Sequence, residues 1–349
     1  MTGGGTAGHV TPNIALFPYL KENGYDIVYI GSYDGIEKKL ISEQNITYEG
    51  ISSGKLRRYF SLKNFTDPFR VLKGFSEAKK LMKKHKPDIV FSKGGFVSVP
   101  VVFAAHKYKI PVIIHESDIT PGLANRLSIP KATKVCCNFP ETVAALPKDK
   151  AVLSGCPIRE ELLKGDRLTG LNICGFNSNK PVLMVIGGSL GALAVNNLVR
   201  EALPCILKDF QVVHICGKGK VDEAYNNTPG YVQFEYVDSQ LKHLFAMADI
   251  IISRAGANAI CEIQALCKPN ILIPLPASSS RGDQILNASS FEHQGFSLVL
   301  PEENLTAQKL TDAIKDAYDN KIIYISNMNN SNQNNAISTI LELINSYAK

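Results

Sequence analysis

Short apolar runs rich in β-branched residues alternate along the chain with stretches whose apolar positions recur every three or four residues. The first pattern predicts buried strands and the second predicts amphipathic helices, and such alternation is typical of parallel α/β folds. The predicted strands of the first half are 27–30, 89–91, 112–115 and 133–137. Those of the second half are 182–186, 212–216, 232–236, 250–253, 271–274 and 297–300. We therefore predict an α/β protein with a parallel sheet in each half.

This pattern is interrupted near residues 155–159, where a glycine and a proline precede a charged helical stretch. A chain of 349 residues is long enough for two domains with separate cores. We predict an N-terminal domain of residues 1–157 and a C-terminal domain of residues 158–335. A last amphipathic helix within residues 336–349 needs a surface to cover. Its apolar face consists of Ile337, Ile340, Leu341 and Ile344.

Glycine-rich turns occur in both halves where a strand, or the place for one, meets a helix. They are Gly3 to Gly8, Gly94 with Gly95, Gly187 to Gly191, and the segment 253–258. The N–H groups of such turns can approach a phosphate closely, and a following helix adds about half a positive charge. Steric packing of helix on strand explains any single turn equally well. Their repetition predicts two Rossmann-like, doubly wound domains facing a cleft.

The first of these loops begins at Gly3 with no apolar run before it, although such a loop normally follows a strand. Two explanations stay open. Either the chain is a few residues shorter than its relatives, or the N-terminal sheet lacks its usual central strand.

An NAD-dependent dehydrogenase is one alternative, because glycine turns also bind dinucleotides. That class requires G-x-G-x-x-G and an acidic residue about 20 positions later, at the end of the second strand. Here the second strand of the first half ends in Ile30-Gly31-Ser32, and that of the second half ends in Cys216-Gly217-Lys218. Gly3, Gly5 and Gly8 fit the glycine spacing, but neither second strand ends in the required acidic residue, so the sequence disfavours a dinucleotide site.

The net charge of +6 is concentrated in residues 55–86, which hold eleven Lys and Arg against two acidic residues. Phe65, Phe69 and Leu72 fall on one helical face within this segment. One interpretation is a helix that packs this face on a sheet and solvates its lysines. Another is attraction to an anionic membrane surface, with the aromatic rings at the interface. Nucleic-acid binding is disfavoured, because no other motif of that class occurs.

Eight cysteines are scattered through apolar stretches without the paired spacing of a zinc site. This usage favours a reduced cytoplasm. No run of about 18 apolar residues occurs, so we expect neither export nor a membrane span.

Six motifs together are specific enough to identify a family, and they occupy residues 1 to about 290. They are Gly3–Pro12, Lys93–Pro100, His115–Arg126, Gly187–Ser189, Ser253–Ala257 and Asp283–Ala288. In sequence and in order they closely resemble the MurG family of glycosyltransferases (glycosyltransferase family 28). The resemblance implies a GT-B fold, with the donor held mainly by the second domain and the lipid acceptor by the first. It also implies that the last helix packs back on the first domain.

The activity implied by this resemblance is inverting transfer of N-acetylglucosamine from UDP-N-acetylglucosamine (UDP-GlcNAc) to a lipid acceptor. The acceptor would be the C4 hydroxyl of undecaprenyl-diphosphate-N-acetylmuramoyl-pentapeptide, so the step belongs to peptidoglycan synthesis. We expect the enzyme at the cytoplasmic face of the membrane as a peripheral protein. We expect no cofactor and no metal, since the chain contains no Asp-x-Asp motif.

The resemblance also implies the site residues, position by position. Uracil and ribose should meet Val237 and the segment Ala257, Asn258, Ala259, Ile260, Cys261 and Glu262, with Glu262 accepting from both ribose hydroxyls. Ser189 should hold the diphosphate, with Arg159 close by, and Gln284 should bond the sugar hydroxyls. The donor pocket should be closed by Thr6, Ala7 and Gly8. Acceptor and phosphate loops should contain Gly4, Gly5, Gly94 and Gly95.

Two segments depart from the family pattern. Asp118 stands where the family usually has an asparagine, so it could accept from a sugar hydroxyl but could not donate. The loop 278–282, ahead of Gln284, is also atypical.

His9 is the predicted general base, because a neutral imidazole near pH 7 is well matched to deprotonate an attacking hydroxyl. A His9 that only positions the substrate is the alternative. Glu116 and His115 are interpreted as structural. Leaving UDP would be stabilised by N–H groups, a helix dipole and Arg159.

Three rival classes stay open at this stage. A related lipid glycosyltransferase would use another UDP-sugar or a diacylglycerol acceptor. A UDP-GlcNAc 2-epimerase would release N-acetylmannosamine without a lipid. A non-catalytic subunit would bind the sugar nucleotide and turn nothing over.

Overall fold

A computed structural model of the chain describes residues 1–54, 63–188, 191–279, 282–331 and 335–348. The side chains of residues 63–68 lie outside this description. The chain divides into two compact units. Unit 1 comprises residues 1–159 and 335–349, and unit 2 comprises residues 160–334.

Unit 1 contains a parallel sheet with helices between successive strands. Its strands are β1 (Val28–Ser32), β2 (Thr47–Ile51), β3 (Val90–Ser92), β4 (Val112–Glu116), β5 (Lys134–Cys137) and β6 (Ala151–Leu153). Its helices are α1 (Thr11–Glu22), α2 (Ile36–Ser42), α3 (Lys63–His85), α4 (Ser98–Lys107), α5 (Leu123–Ser128) and α6 (Pro140–Ala145). Short 3-10 turns span Ala7–His9 and Ile129–Lys131.

Thr2 fills the centre of this sheet. It forms parallel bridges to Ile30 of β1 and to Ser92 of β3, and so lies between the pair β1–β2 and the run β3-β4-β5-β6. The Thr2 N–H donates to the Phe91 carbonyl at 2.9 Å, and its own carbonyl accepts from the Lys93 N–H at 2.9 Å. Of the two explanations left open by the sequence, a sheet without its central strand is therefore wrong, because Met1 and Thr2 make the hydrogen bonds of that strand.

Unit 2 contains a second parallel sheet, in the order β12-β11-β10-β7-β8-β9. Its strands are β7 (Val182–Ile186), β8 (Gln211–Ile215), β9 (Tyr231–Phe234), β10 (Ile250–Ser253), β11 (Asn270–Leu272) and β12 (Leu298–Val299). Its helices are α7 (Glu160–Leu163), α8 (Arg167–Cys174), α9 (Leu193–Asp209), α10 (Leu241–Met247), α11 (Ala257–Ala265), α12 (Asp283–His293), α13 (Ala307–Asp319) and α14 (Lys321–Asn329). Helices α9 and α13 cover one face, and their apolar residues form the main core of the unit.

The last helix, α15 (Ala336–Tyr347), packs on unit 1. Ile340 and Ile344 are buried against Leu16 and Leu20 of α1 and against the sheet. Tyr25 donates a hydrogen bond to Asn345 Oδ1 at 2.7 Å beside this contact. Each fully buried isoleucine contributes about 1.5–3 kcal/mol of hydrophobic stabilisation. The aliphatic face of α15 therefore has its covering surface on α1.

Helix α3 turns different faces to the core and to solvent along its length. In its C-terminal half, Ala78 and Met82 are buried in the core of unit 1, and Phe75 packs beside them. In its N-terminal half, Phe69 and Leu72 are 74% and 65% exposed. The apolar face predicted to pack on a sheet is therefore exposed at both of its described positions, while a different face is packed.

Candidate functional site

Each sheet reverses its direction of winding at one point, and glycine loops lie on both sides of that point. In unit 1 the reversal lies between Thr2 and β3, which are followed by the loops 3–8 and 93–95. In unit 2 it lies between β7 and β10, which are followed by the loops 187–191 and 254–256. Ligands of doubly wound sheets bind at the carboxyl ends of the strands beside such a reversal. Topology alone thus marks one candidate half-site in each unit.

The two glycine loops of unit 1 pack backbone against backbone. The Gly4 N–H donates to the Gly94 carbonyl at 3.3 Å, and a Cβ on Gly95 would collide with the Gly4 carbonyl. Gly94 and Gly95 also have positive φ angles, which L side chains rarely adopt. The structure therefore brings together the predicted phosphate-loop residues Gly4, Gly94 and Gly95, with Gly5 next along the chain.

His9 ends the short turn that follows the first loop. Its Nδ1 lies 3.0 Å from Thr6 Oγ1, and the ring is half-buried. Burial and the nearby Lys93 ammonium lower the pKa of His9 to about 4, against the opposing effects of a Gly4 backbone hydrogen bond and Glu37. At pH 7 the imidazole is therefore neutral, as a general base requires. The neighbouring Thr6 is exposed, while Ala7 and Gly8 are half-buried.

Lys93 is a buried cation that the sequence analysis did not single out. Its side chain is 1% exposed, and its ammonium contacts His115 Nδ1 at 2.8 Å and the Ser117 hydroxyl. His115 Nε2 lies 2.9 Å from the Gly155 carbonyl, which can only accept, so Nε2 carries the proton. Burial, helped by Lys93, holds the pKa of His115 well below its usual value. His115 is thus a neutral acceptor for Lys93, in agreement with its structural interpretation.

Glu116 organises the loop that carries Asp118. Its Oε1 accepts from the N–H groups of Ser117 at 2.8 Å and Asp118 at 3.1 Å, and its Oε2 accepts from Gly122 and Asn125. Burial raises the pKa of Glu116, although these donors oppose the shift. With both oxygens occupied inside unit 1, Glu116 acts as a structural acceptor, and Asp118 is held half-buried at the edge of the loop.

A second buried carboxylate, Glu37 on α2, was missed by the sequence analysis. It lies under the first glycine loop and accepts a hydrogen bond from the Gly5 N–H. Glu37 belongs to no recognised motif. In the sequence, the charged run Glu37-Lys38-Lys39 is typical of a solvent-exposed helix face. The one available signal was the set of glycines around it, at positions 31 and 35, which leave room for a buried side chain.

In unit 2, the loop after β7 is also shaped by glycine. Gly188 and Gly191 have positive φ angles, and a Cβ on Gly191 would collide with the Cys216 carbonyl. Ser189, the predicted diphosphate ligand, lies outside the described residues. Helix α9 follows, and no side chain among the described residues caps its N-terminus, so its first-turn N–H groups can bind an anion.

Helix α11, after β10, carries most of the predicted uridine contacts. Asn258, Ala259 and Glu262 are half-buried, so their side chains reach the surface of the unit. Ile260 and Cys261 are buried. The remaining two predicted residues, Ala257 at the start of α11 and Val237 after β9, are also largely buried.

Polar side chains fix the loops around α11. The Arg254 guanidinium donates to the carbonyls of Ile273 and Pro274 at 3.0 and 3.1 Å and forms an ion pair with Glu302. Gln284 Oε1 accepts from the Leu275 N–H at 3.1 Å, which leaves its amide nitrogen as a donor for a ligand. The ends of β10 and β11 and the start of α12 are therefore held together as one surface.

Arg159 is the last residue of the first segment of unit 1. Its Nε is buried, and it has no hydrogen-bond partner among the described residues. An unpaired buried guanidinium N–H is costly, and a bound anion would satisfy it.

All eight cysteines are free thiols. Within the described part of the chain, no helix has the length and apolar character needed to cross a membrane.

Two doubly wound units with glycine loops at their points of reversal define a Rossmann-like, two-domain protein of the kind that binds phosphate-bearing ligands. Residues 1–137 match the glycosyltransferase family 28 N-terminal domain, and residues 182–343 match the family's C-terminal domain. The chain belongs to glycosyltransferase family 28, and it is a glycosyltransferase. The family resemblance predicted from the six motifs is confirmed.

Relatives and solved structures agree with this assignment. A protein of Lachnoclostridium phytofermentans is 65% identical, over 99% of this chain and 97% of its own. One from Clostridium botulinum is 60% identical over 100% and 99%. Both are named UDP-N-acetylglucosamine–N-acetylmuramyl-(pentapeptide) pyrophosphoryl-undecaprenol N-acetylglucosamine transferase. The crystal structure of Acinetobacter baumannii MurG has a TM-score of 0.77 at 26% identity, covering 99% of this chain and 98% of its own.

A UDP-GlcNAc 2-epimerase from Neisseria meningitidis, bound to UDP-GlcNAc, has the same fold. Its TM-score is 0.69 at 14% identity, with 99% of this chain and 98% of the other covered. At that identity the likeness concerns the fold alone. The predicted α/β class with two Rossmann-like parallel-sheet domains is confirmed.

Proposed function

We propose that this enzyme transfers N-acetylglucosamine from UDP-GlcNAc to the C4 hydroxyl of undecaprenyl-diphosphate-N-acetylmuramoyl-pentapeptide, with inversion, in peptidoglycan synthesis. The observation that carries the proposal is the identity of 65% and 60% to two transferases named for this donor and acceptor, over almost the full length of each chain. The half-sites described above are chemically suited to the two substrates.

Unit 2 is the proposed donor site. The uncapped N-terminus of α9 and the glycine loop before it offer N–H groups to the diphosphate, with Ser189 in that loop. Glu262 is suited to the ribose, because one carboxylate can accept from two vicinal hydroxyls. The free amide nitrogen of Gln284 can donate to a sugar hydroxyl. Asn258 and Ala259 line the same helix, while Val237, Ala257, Ile260 and Cys261 would act through backbone or shape.

Unit 1 is the proposed acceptor site, with His9 as the general base. The attacking hydroxyl must lose its proton, and the lowered pKa of His9 keeps its imidazole able to accept one at neutral pH. Gly4, Gly5, Gly94 and Gly95 form a backbone surface beside it, which an acceptor could approach closely because glycine has no side chain. The N–H groups of Gly4 and Gly5 are already bonded to the Gly94 carbonyl and to Glu37. The roles of Thr6, Ala7, Gly8 and Asp118 toward the donor rest on the family resemblance and stay predictions.

Departure of UDP leaves negative charge that must be stabilised. The unpaired Nε of Arg159 and the positive end of the α9 dipole are the charges proposed for this task.

We further propose that α3 brings unit 1 to an anionic membrane surface, where the lipid acceptor resides. Phe69 and Leu72 are exposed, and Arg70 and Lys73 beside them are exposed as well. Apolar side chains flanked by cations are the combination that binds a lipid interface. The protein would then be peripheral at the cytoplasmic face, with no nucleic-acid partner.

The test is to incubate the purified protein with labelled UDP-GlcNAc and undecaprenyl-diphosphate-N-acetylmuramoyl-pentapeptide and to measure label in the lipid fraction. Parallel reactions contain diacylglycerol as the acceptor, or no acceptor at all. Label in the pentapeptide lipid alone supports the proposal. Label in diacylglycerol would indicate another lipid transferase. Free N-acetylmannosamine would indicate an epimerase, and bound but unreacted donor a non-catalytic subunit; each of these three results overturns the proposal.

A further inference from the structure

Glu37 is a fully buried carboxylate that none of the recognised motifs includes. Its Oε2 accepts from the Gly5 N–H at 3.1 Å. Its Oε1 accepts from the Ser32 N–H at 3.0 Å and from the Ser32 hydroxyl at 2.5 Å. The carboxylate therefore connects the first glycine loop on one side to the end of β1 on the other.

The space around this carboxylate is built from glycine. A Cβ on Gly4 would lie 2.6 Å from the Glu37 carboxyl carbon, and a Cβ on Gly31 would lie 2.8 Å from its Cγ. A Cβ on Gly35, two residues before Glu37, would collide with the carboxylate itself. Three backbone segments thus close around one side chain, which leaves Glu37 little freedom to move.

The same loop is held at two further points. Tyr29 donates from its hydroxyl to the Gly3 carbonyl at 2.9 Å, and Asn13 Nδ2 lies 3.3 Å from the His9 carbonyl. The loop is therefore anchored at Gly3, at Gly5 and at His9. Of the three anchoring side chains only Glu37 is charged, so its hydrogen bond to the loop is the strongest of the set.

We infer that Glu37 is a positioning residue, which fixes the first glycine loop and with it the place of the His9 imidazole. This inference rests on the proposed function of His9. A misplacement of about 1 Å in a catalytic group can cost on the order of 10²-fold in rate. Glu37 also acts through its charge, because a carboxylate near His9 partly offsets the effect of the Lys93 ammonium.

The pKa of Glu37 agrees with this role. Burial alone would raise it, but the donors from Ser32 and Gly5 outweigh burial and lower the pKa of the carboxyl below its ordinary value. The group is therefore ionised at neutral pH, and its two oxygens act only as acceptors.

The test is Glu37→Gln, which keeps the shape of the side chain and removes one acceptor. In either orientation the new NH₂ group faces a donor, the Gly5 N–H or the Ser32 N–H, so one contact is lost. We expect kcat to fall 10- to 100-fold, while the dissociation constant for UDP, measured by calorimetry, stays within twofold. The acid limb of kcat/KM should also move to lower pH, because His9 loses a nearby negative charge. The control is Glu43→Gln, an exposed glutamate just after α2, which should match wild type.

A Glu37→Gln protein that binds UDP normally and keeps kcat within threefold of wild type would overturn the inference. So would an equal loss in Glu43→Gln. If Glu37→Gln does not fold, Ser32→Ala replaces it, because it removes only the hydroxyl contact to Oε1. A severalfold fall in kcat at unchanged Tm then supports the inference, and unchanged kcat overturns it.

Hydrogen exchange separates this inference from the proposed function. Glu37→Gln should accelerate amide exchange in the peptide that contains residues 3–9, whether or not the wild-type protein transfers sugar. Unchanged exchange would show that Glu37 does not anchor the loop, even if the enzyme is active. If the wild type is inactive but residues 3–9 are protected from exchange and lose that protection in Glu37→Gln, the proposed function is refuted and the role of Glu37 as an anchor is supported.

Discussion

At the scale of single residues, the charges around the first glycine loop of unit 1 divide into a base and the groups that tune it. Lys93 and burial push His9 toward the neutral form, while Glu37 pulls in the opposite direction. The balance leaves the pKa of His9 at about 4, compared with 6.5 for an unperturbed imidazole. A base of this kind accepts a proton weakly but is almost fully deprotonated in the cell, so its placement decides its effectiveness.

His9→Ala should lower kcat by about 10²- to 10⁴-fold, the range typical of lost general-base catalysis. Donor affinity should hardly change, because most of the proposed donor contacts lie in unit 2 and His9 is proposed to act on the acceptor hydroxyl. The sign of the pH dependence follows from the lowered pKa. His9 loses its base form only as pH falls toward 4, so wild-type kcat/KM should not decline with a midpoint near 6.5. His106→Ala, at an exposed histidine on α4, is the control. Unchanged turnover in His9→Ala would remove the residue from the general-base role.

Sequence reasoning found His9 and the glycines but not the buried charges behind them. His9 is part of a motif, and a glycine in a turn indicates by its identity alone an unusual backbone conformation or a close backbone contact. Lys93 begins one of the six motifs, but lysine and glutamate normally lie at the surface, and only the tertiary fold buries Lys93 and Glu37. Their contacts come from residues far along the chain, such as Lys93 with His115 and Glu37 with Gly5. No local pattern carries that information.

At the scale of elements, the sequence predicted every strand of unit 2 and missed the two edge strands of unit 1. All ten predicted strands occur, as β1, β3 to β5 and β7 to β12. The two missed strands, β2 and β6, lie at opposite edges of the sheet in unit 1. Both are largely half-buried, β2 contains Glu49 and Gly50, and β6 has three residues. An edge strand needs no continuous apolar run, so hydrophobic patterning can miss it, as it does for these two strands.

Helix α3 tests the proposed membrane contact. Phe69→Ser with Leu72→Ser removes the exposed apolar pair, and we expect binding to vesicles containing anionic phospholipid to weaken at least severalfold. The matched control is Ile322→Ser with Ile323→Ser on α14, which removes two aliphatic side chains that are 74% and 58% exposed. Vesicle binding is measured by co-sedimentation at low and high salt. Equal binding by the α3 variant and wild type would mean that this helix does not carry the contact.

At the scale of the whole molecule, the two units differ in the number of chain segments from which they are built. Unit 2 is one continuous segment, whereas unit 1 is completed by both the first and the last described residues. Thr2 occupies the centre of its sheet, and α15 covers α1. Unit 1 therefore cannot bury its full core until the chain beyond unit 2 has been made, and its folding is expected to finish last during synthesis.

Both units contain a buried neutral histidine, and this gives the stability of the protein a predictable dependence on pH. His115 in unit 1 has a pKa well below 6.5 because of burial and Lys93. His214 in unit 2, bonded to Tyr231 and Asn196, has a pKa of about 3 because of burial and Arg200. In the unfolded chain each histidine would bind a proton below about pH 6.5.

Between pH 6.5 and 5 the unfolded state therefore binds more protons than the native state, and acid favours unfolding. Each of the two histidines should lower the free energy of unfolding with a slope that rises from about 0.7 kcal/mol per pH unit at pH 6.5 to about 1.4 near pH 5. Urea denaturation at pH 7, 6 and 5, followed by fluorescence, measures the slope. His293→Gln, at an exposed histidine of unit 2, should leave the slope unchanged, whereas His214→Gln should reduce it. A free energy of unfolding that is constant from pH 7 to 5 would show that these imidazoles are not held neutral by the fold.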